Sequence, residues 1–201
     1  RTTLAPYLTR SRSVRVASQP FEQVNAGRTG GLNEPAIDRA GFTGSEPAID
    51  AYCGTGTIGL VAAKRGARQV IGVDTVASAV RDARENAKHN GVENARFAVG
   101  DAGAFMRERA AAGDAVDVLL MDPPRAGSGE ECLAAAVTLA PRRIVYISCN
   151  PTTQVRDLAF LRQRGYAVRT VQPVDMFPHT DHVETIALVE RVEGFFERSD
   201  R

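Results

Sequence analysis

The amino-acid sequence predicts an α/β fold: a doubly wound, mostly parallel seven-stranded sheet with an antiparallel strand at one edge. From Ala48 onward, short apolar runs alternate with amphipathic segments at the spacing of strand–helix units. Several of these runs are continuously apolar, which is typical of parallel strands covered by helices on both faces. The last two runs are joined by a loop too short to hold a crossover helix, so we expect them to pair antiparallel.

The individual elements follow from this pattern. The predicted strands are Ala48–Tyr52, Gln69–Asp74, Ala95–Val99, Val116–Asp122, Arg143–Ser148, Ala167–Pro173 and Val183–Glu190. The predicted helices are Ile58–Lys64, Val76–Asn90, Ala102–Ala111, Glu130–Leu139 and Thr152–Arg164. The clearest is Val76–Asn90, because its apolar side chains share one face, Thr75 can cap its start and Gly91 follows its end.

Composition limits the function classes. The chain has 201 residues, 43% of them hydrophobic and 24% charged, which suits one globular domain and excludes disordered, collagen-like and coiled-coil proteins. The net charge is +1, so nucleic-acid binding would need a local basic patch. Three cysteines are too few for a disulfide framework or a four-thiolate metal cluster, and they favour a reducing compartment such as the cytoplasm. No apolar run is long enough for a membrane span.

A glycine-rich turn follows the first predicted strand. Gly54 and Gly56 allow a tight turn and close approach of a ligand to the backbone, and Gly59 lets the next helix pack near the strand. Asp74 ends the following strand, where a carboxylate can accept hydrogen bonds from two ribose hydroxyls. The pattern predicts nucleotide binding, and its G-x-G-x-x-G spacing leaves both S-adenosylmethionine (SAM) and NAD open.

The acids that follow the third and fourth strands favour SAM. Asp101 closes the third strand region, where its carboxylate can accept from an adenine amino group. The fourth strand ends in Asp122-Pro-Pro-Arg125, and the two prolines fix the backbone and remove two donors. Methyltransferases place such a rigid segment beside the transferred methyl group, whereas NAD folds have no particular use for it.

A cysteine and a glutamate are the candidate catalytic groups. Cys149 precedes a helix that Asn150 can cap and Pro151 can begin, and a helix N-terminus favours the thiolate, so we expect a lowered thiol pKa. Glu184 begins the last strand beside an apolar loop, where desolvation can raise its pKa towards neutrality and make it a general base. Neighbouring histidines match no zinc-binding spacing, so we predict no metal site.

Five motifs together resemble those of a known family. In chain order they are Phe21-Glu-Gln23-Val-Asn25, Asp50-Ala-Tyr-Cys-Gly-Thr-Gly56, Asp122-Pro-Pro-Arg-Ala-Gly127, Ser148-Cys-Asn-Pro-Thr-Thr153 and Asp175-Met-Phe-Pro-His-Thr-Asp-His-Val-Glu184. They resemble the motifs of the bacterial RNA uracil-5-methyltransferases, SAM-dependent enzymes that make 5-methyluridine in 23S ribosomal RNA or tRNA. The resemblance implies a class I, Rossmann-like methyltransferase fold and an RNA substrate, with ribosomal RNA favoured over tRNA.

The resemblance also implies residue roles. Cys149 would add to C6 of the uracil, which makes C5 nucleophilic enough to accept a methyl group, and Glu184 would then remove the C5 proton. The residues that would line the SAM site are Gln23, Tyr52, Gly54, Gly56, Thr57, Asp74, Asp101 and Asp122. Pro123, Arg125 and Asn150 would contact the extruded base or its backbone, and Arg10, Arg12 and Arg15 are further candidates for phosphate contacts.

The sequence also departs from the family. Members usually carry an N-terminal OB-like RNA-binding domain, and some hold an iron–sulfur cluster, for which this chain lacks the cysteines. We therefore expect residues 1–47 to be an irregular segment, the end of a linker from an RNA-binding domain, followed by the methyltransferase domain at 48–201. The family places a long helix after Asn25, but residues 27–44 are rich in glycine and predict a loop instead. The chain begins with Arg1 rather than Met, so we expect it to be part of a longer protein.

Three other functions stay open at this point. An RNA cytosine-5 methyltransferase uses the same thiolate chemistry but favours a second active thiol, for which Cys53 is the candidate. An NAD(P)-dependent oxidoreductase would use the same glycine turn. A non-catalytic RNA-binding remnant would keep the fold and lose the chemistry.

Overall fold

A computed structural model describes residues 29–175 and 183–195, and in it seven strands form one sheet. The strands are β1 (Pro47–Ala51), β2 (Gln69–Asp74), β3 (Ala95–Val99), β4 (Val118–Met121), β5 (Arg143–Ser148), β6 (Tyr166–Val174) and β7 (Glu184–Arg191). The helices are α1 (Thr29–Ala40), α2 (Thr57–Lys64), α3 (Ala77–His89), α4 (Ala102–Ala111), α5 (Glu130–Leu139) and α6 (Pro151–Arg162). Each strand and helix predicted from the sequence is present, with bounds within about two residues of those expected.

The strand order is β3-β2-β1-β4-β5-β7-β6. Strands β1 to β5 pair in parallel, whereas β7 is antiparallel to both of its neighbours, β5 and β6. The antiparallel pair predicted for the end of the chain is therefore confirmed, with β6 at the edge and β7 next to it. The order in which successive strands are added to the sheet reverses between β1 and β4, and ligands of such sheets bind at the carboxyl ends of the strands near that point.

The core has two layers, one on each face of the sheet. Successive residues of β4 point to opposite faces, so Leu120 packs with α1, α2 and α3 while Leu119 packs with α4, α5 and α6. Both side chains are fully buried. This arrangement explains why the central strands are continuously apolar, because neither face of the sheet meets water.

The loop prediction for residues 27–44 is wrong over Thr29–Ala40, where α1 forms. Its apolar side chains Leu32, Ala36, Ile37 and Ala40 are buried against the sheet face that α2 and α3 also cover. Burial of this stripe outweighs the poor helix propensity of the glycines and of Pro35. The expected domain boundary at residues 47 and 48 stays a prediction, but the segment before it is not irregular throughout.

Two helix starts test the capping predictions. Asn150 caps α6, where its side-chain oxygen accepts from the backbone N–H of Thr152 at 3.1 Å, and Pro151 occupies the first turn, as predicted. The cap predicted for α3 is wrong: Val76, not Thr75, is the N-cap residue, and its N–H donates to Asp74 Oδ1 at 2.9 Å. The Asp74 carboxylate thus binds the backbone where we expected a threonine hydroxyl.

Candidate active site

Strand topology brings Cys149 and Glu184 to the same edge of the sheet. Cys149 follows the carboxyl end of β5, and Glu184 is the first residue of β7. Because β7 runs antiparallel to β5, its start lies beside the end of β5, and Thr185 pairs with Ser148. Two residues that are distant in the chain therefore lie next to each other where the parallel strands end.

The glycine turn connects β1 to α2. The N–H of Gly54 donates to Asp74 Oδ2 at 2.9 Å, so the turn is tied to the end of β2. Gly56 has φ of 82°, and a Cβ added there would lie 2.8 Å from Cζ of Phe97. Both the left-handed backbone and the close aromatic ring therefore require glycine at position 56. Thr57 begins α2 directly after this turn.

We predict that Gly56→Ala destabilises the protein more than Gly54→Ala does. Both positions have positive φ, but only at Gly56 would the new methyl group meet other atoms. Backbone strain alone should cost about 1–2 kcal/mol, and the collision with Phe97 should add about 1–3 kcal/mol. Urea denaturation of the two variants without ligand measures the difference, and equal losses would contradict the assigned collision.

Asp50, to which we gave no role from the sequence, is fully buried at the end of β1. Its Oδ2 accepts from the N–H of Gly59 at 2.8 Å, while Oδ1 has no hydrogen-bond partner among the described residues. Burial, with smaller contributions from the charges of Asp122 and Asp74, raises its pKa to about 8. Its position near the end of β1, four residues before Gly54, is the sequence feature that could have marked it as a candidate site residue.

The other predicted cofactor residues lie around this turn. Asp74 accepts from two backbone N–H groups, and exposed Asp101 caps α4 by accepting from Ala104 N–H at 2.8 Å. Each carboxylate oxygen can accept a further hydrogen bond. The Tyr52 hydroxyl lies 2.9 Å from Ser128 Oγ and is directed towards α5. Gln23 lies outside the described residues, as do the N-terminal arginines.

Asp122 follows β4 and is half-buried. Burial and the nearby charge of Glu184 raise its pKa to about 7. Of the predicted substrate residues beside it, Pro123 is buried and Arg125 is exposed. The backbone oxygen of Arg125 accepts from Asn150 Nδ2 at 3.2 Å, so the three predicted substrate residues lie on two touching loops.

The expected lowering of the Cys149 pKa is wrong. The thiol is half-buried, and desolvation raises its pKa. The negative charges of Glu184 and Asp122 raise it further, and the opposing effect of Arg125 is smaller. Burial and two carboxylates from other strands thus decide the direction of the shift, whereas the prediction considered only the helix N-terminus.

The raised pKa predicted for Glu184 is confirmed, whereas the apolar loop expected beside it and the histidines at 179 and 182 lie outside the described residues. The Glu184 side chain is buried, Oε2 has no hydrogen-bond partner within the described part of the chain, and desolvation raises its pKa. Together with the unpartnered Oδ1 of Asp50, it makes this edge a cluster of desolvated carboxyl groups. Such a cluster suits a ligand that carries positive charge, as the sulfonium and amino groups of SAM do.

The other two cysteines differ from Cys149. Cys53 is buried, and desolvation followed by the charges of Asp50 and Asp74 raises its pKa strongly. Cys132 lies on α5, where its sulfur accepts from the Tyr52 hydroxyl at 3.2 Å.

Across residues 29–175 and 183–195, no group of three acidic, histidine or cysteine side chains is arranged to hold a metal ion. No helix in this part of the chain is long and apolar enough to cross a bilayer.

Comparison with known proteins identifies the family. A model described as tRNA (uracil-5-)-methyltransferase matches residues 8–192, which is most of the chain. The chain belongs to this family. The resemblance found in the five motifs is thereby confirmed, and membership favours methyl transfer over the NAD(P)-dependent alternative.

Curated relatives support the assignment. An uncharacterized RNA methyltransferase of Halalkalibacterium halodurans is 47% identical over 175 residues, which cover 87% of this chain and 38% of the relative. Another, from Caldanaerobacter subterraneus subsp. tengcongensis, is 49% identical over 172 residues and is covered to the same 38%. The chain therefore spans about two fifths of the length of these relatives.

Solved structures confirm the class I methyltransferase fold. The tRNA (uracil-54, C5)-methyltransferase of Pyrococcus abyssi, in complex with S-adenosyl-L-homocysteine, superposes with a TM-score of 0.71 at 34% identity, covering 84% of this chain and 40% of that one. A putative RNA methyltransferase from Pyrococcus horikoshii has a TM-score of 0.66, with 86% of each chain covered. At 19% identity, this second likeness concerns the fold alone.

Proposed function

We propose that the chain transfers a methyl group from SAM to C5 of a uridine in RNA. The observation that carries this proposal is the placement of Cys149 and Glu184 beside Asp122 at one edge of the sheet. The three groups are close enough that the charges of Glu184 and Asp122 raise the pKa of the Cys149 thiol. A thiol and a desolvated carboxylate at one site are the two groups that C5 methylation of uracil requires.

Cys149 opens the reaction as a covalent catalyst. Once deprotonated, its sulfur adds to C6 of the uracil, and the electron pair of the C5–C6 double bond moves into an enolate. C5 would then take up the methyl group of SAM, whose S–CH3 bond would break to leave S-adenosyl-L-homocysteine. The Glu184 carboxylate accepts the proton from C5, the double bond re-forms and the Cys149 thiolate leaves. The target base must be unstacked from its neighbours to expose these positions.

The cofactor site in this proposal is the glycine turn and the acids around it. SAM supplies, when bound, an electrophilic methyl group on a positively charged sulfur. Gly54, Gly56 and Thr57 would let the backbone approach it, and Asp74 and Asp101 would accept from its ribose and adenine. Tyr52, Asp122 and the newly found Asp50 would lie near its charged end. Gln23 keeps its predicted role as a further contact.

Nucleoside analysis tests the proposed reaction. We expect the protein, incubated with deuterated-methyl SAM and unmodified 23S ribosomal RNA or tRNA, to form 5-methyluridine that carries the label in one of them. A binding titration should detect SAM and no NAD. Labelled 5-methylcytidine would support the cytosine alternative instead, and the absence of any labelled nucleoside with both RNAs would contradict the proposal.

A further inference from the structure

Two loops carry candidate catalytic and substrate residues, and they touch each other. The proline loop (residues 122–128) follows β4, and what we call the thiol loop (residues 149–153) comprises the two residues after β5 and the first three residues of α6. The backbone oxygen of Arg125 accepts from Asn150 Nδ2 and from Thr153 Oγ1, both at 3.2 Å. These two bonds come from neutral side chains, and such bonds are weaker than bonds that involve a charged group. A second element, which carries a charge, binds the proline loop more strongly.

That element is Asp157, a fully buried carboxylate on α6. Its Oδ2 accepts from the N–H of Ser128 at 2.7 Å and from the hydroxyl of Tyr146 at 2.5 Å. Its Oδ1 accepts from Nε of Arg156 at 2.8 Å and lies 2.7 Å from Nη2 of the same residue, with which it forms an ion pair. The carboxylate therefore joins the proline loop, β5 and α6 at one point.

Arg156 extends the contact along the proline loop. Its Nη2 donates to the backbone oxygen of Ala126 at 3.0 Å and lies 3.3 Å from that of Ser128. Gly127 lies directly against the pair, because a Cβ there would be 2.6 Å from Arg156 Nη2 and 2.7 Å from Asp157 Oδ2. The loop thus fits closely over a charged pair, with its only side-chain-free residue at the closest approach.

A buried carboxylate is costly to maintain unless all of its hydrogen bonds are made, and replacing it with apolar side chains often stabilises a protein. Asp157 accepts three such bonds, one of them from a guanidinium that is itself exposed and that also forms an ion pair with it. A need for stability therefore does not explain the charge at Asp157. The contacts that its carboxylate makes to the proline loop and to β5 tell more about its role.

We propose that Asp157 and Arg156 are positioning residues that hold the proline loop against the thiol loop, and so fix Asp122 relative to Cys149. The proposal rests on the proposed function, because it assigns catalytic importance to the distance between those two groups. Neither residue touches the reacting atoms. Their effect is transmitted through the backbone from residue 125 to residue 128.

The variant Asp157→Asn tests this most directly. The amide keeps the shape of the side chain but presents an NH2 group either to Ser128 N–H or to the Arg156 guanidinium, so one donor loses its acceptor. We expect kcat for uridine methylation to fall about 10- to 100-fold, while the Kd for SAM changes less than about 3-fold. We also expect site-specific alkylation of Cys149 by iodoacetamide to become at least about 5-fold faster at pH 8, because a loosened loop exposes the thiol.

Asp82→Asn is the matched control, since Asp82 is also a buried helical aspartate that follows an arginine, but lies on α3. We expect this control to leave kcat and Cys149 alkylation within about 2-fold of the parent. If Asp157→Asn does not fold, Arg156→Gln replaces it, because Arg156 is exposed and its substitution should be tolerated, and Arg162→Gln on the same helix is its control.

The results of this test can be told apart from a failure of the proposed function. Alkylation of Cys149 requires no RNA and no methyl transfer, so a change limited to Asp157→Asn or Arg156→Gln supports the positioning role even if the parent methylates no uridine. Unchanged alkylation and unchanged kcat in both variants would overturn it. Equal changes in the variants and their controls would overturn it as well, since they would reflect general destabilisation.

Discussion

Cys149→Ala is expected to abolish uridine methylation, with a loss of roughly 10³- to 10⁶-fold in kcat. The physical reason is that C5 of uracil is a poor nucleophile until a sulfur adds to C6, and alanine offers no group that can add. Binding of SAM should change less than about 3-fold, because Cys149 contributes to the covalent step and not to the glycine turn. The measurement is the rate of 5-methyluridine formation by nucleoside mass spectrometry, together with a SAM titration.

RNA that contains 5-fluorouridine gives a second readout. Fluorine at C5 cannot be removed as a proton, so the parent protein should accumulate an adduct between Cys149 and the RNA, whereas Cys149→Ala should form none. Cys132→Ala is the matched thiol control and should form the adduct normally. If Cys53→Ala loses methylation as completely as Cys149→Ala does, the two-thiol cytosine chemistry would be favoured over our proposal.

The sequence was sufficient to predict the fold because its strands are buried on both faces. The run from Val118 to Met121 is apolar without interruption, and a strand with helices on both sides requires such a run. Helix α1 could not be predicted in the same way, since its glycines and Pro35 argue against a helix locally. Only the sheet surface, which covers Leu32 and Ile37, makes the helix favourable.

The same distinction, between features that follow from the local sequence and features that depend on packing, applies to the candidate site. Which residues lie at the carboxyl ends of the strands follows from the alternation of strands and helices, so Cys149 and Asp122 could be placed in advance. The sign of the Cys149 pKa shift could not, because it is set first by burial of the thiol and then by carboxyl groups at the end of β4 and the start of β7. A rule that considers only the helix following the cysteine omits the charges of these other strands.

Asp157 is a residue whose burial and role the sequence pattern does not predict. An Arg-Asp pair in an amphipathic helix has the pattern of a solvent-facing turn, because charged residues are rarely fully buried. The structure buries the carboxylate completely and uses it to bind the backbone of another loop. Buried polar networks of this kind depend on contacts between residues far apart in the chain, such as Ser128 and Tyr146, and periodicity does not reveal them.

Glu184→Gln is expected to stop the reaction at a later stage than Cys149→Ala does. Sulfur addition and methylation of C5 can still proceed, but the amide cannot accept the C5 proton, so the methylated adduct should accumulate on ordinary uridine RNA. Release of product should slow about 10²- to 10⁴-fold, the usual contribution of a general base. Denaturing gels that detect RNA linked to the protein measure the adduct, and Glu190→Gln on the same strand is the matched control.

The same substitution should raise stability at neutral pH, and the sign follows from the raised pKa of Glu184. A carboxyl group with a pKa higher in the folded chain than in the unfolded chain favours folding when it is protonated. That contribution is present below the unfolded pKa and is lost as pH rises through the folded one. Glutamine stays neutral, so the thermal midpoint of Glu184→Gln should exceed that of the parent by a margin that widens as pH rises above the ordinary glutamate range. A margin that does not vary with pH, or rapid turnover without an adduct, would show that Glu184 is not the desolvated base.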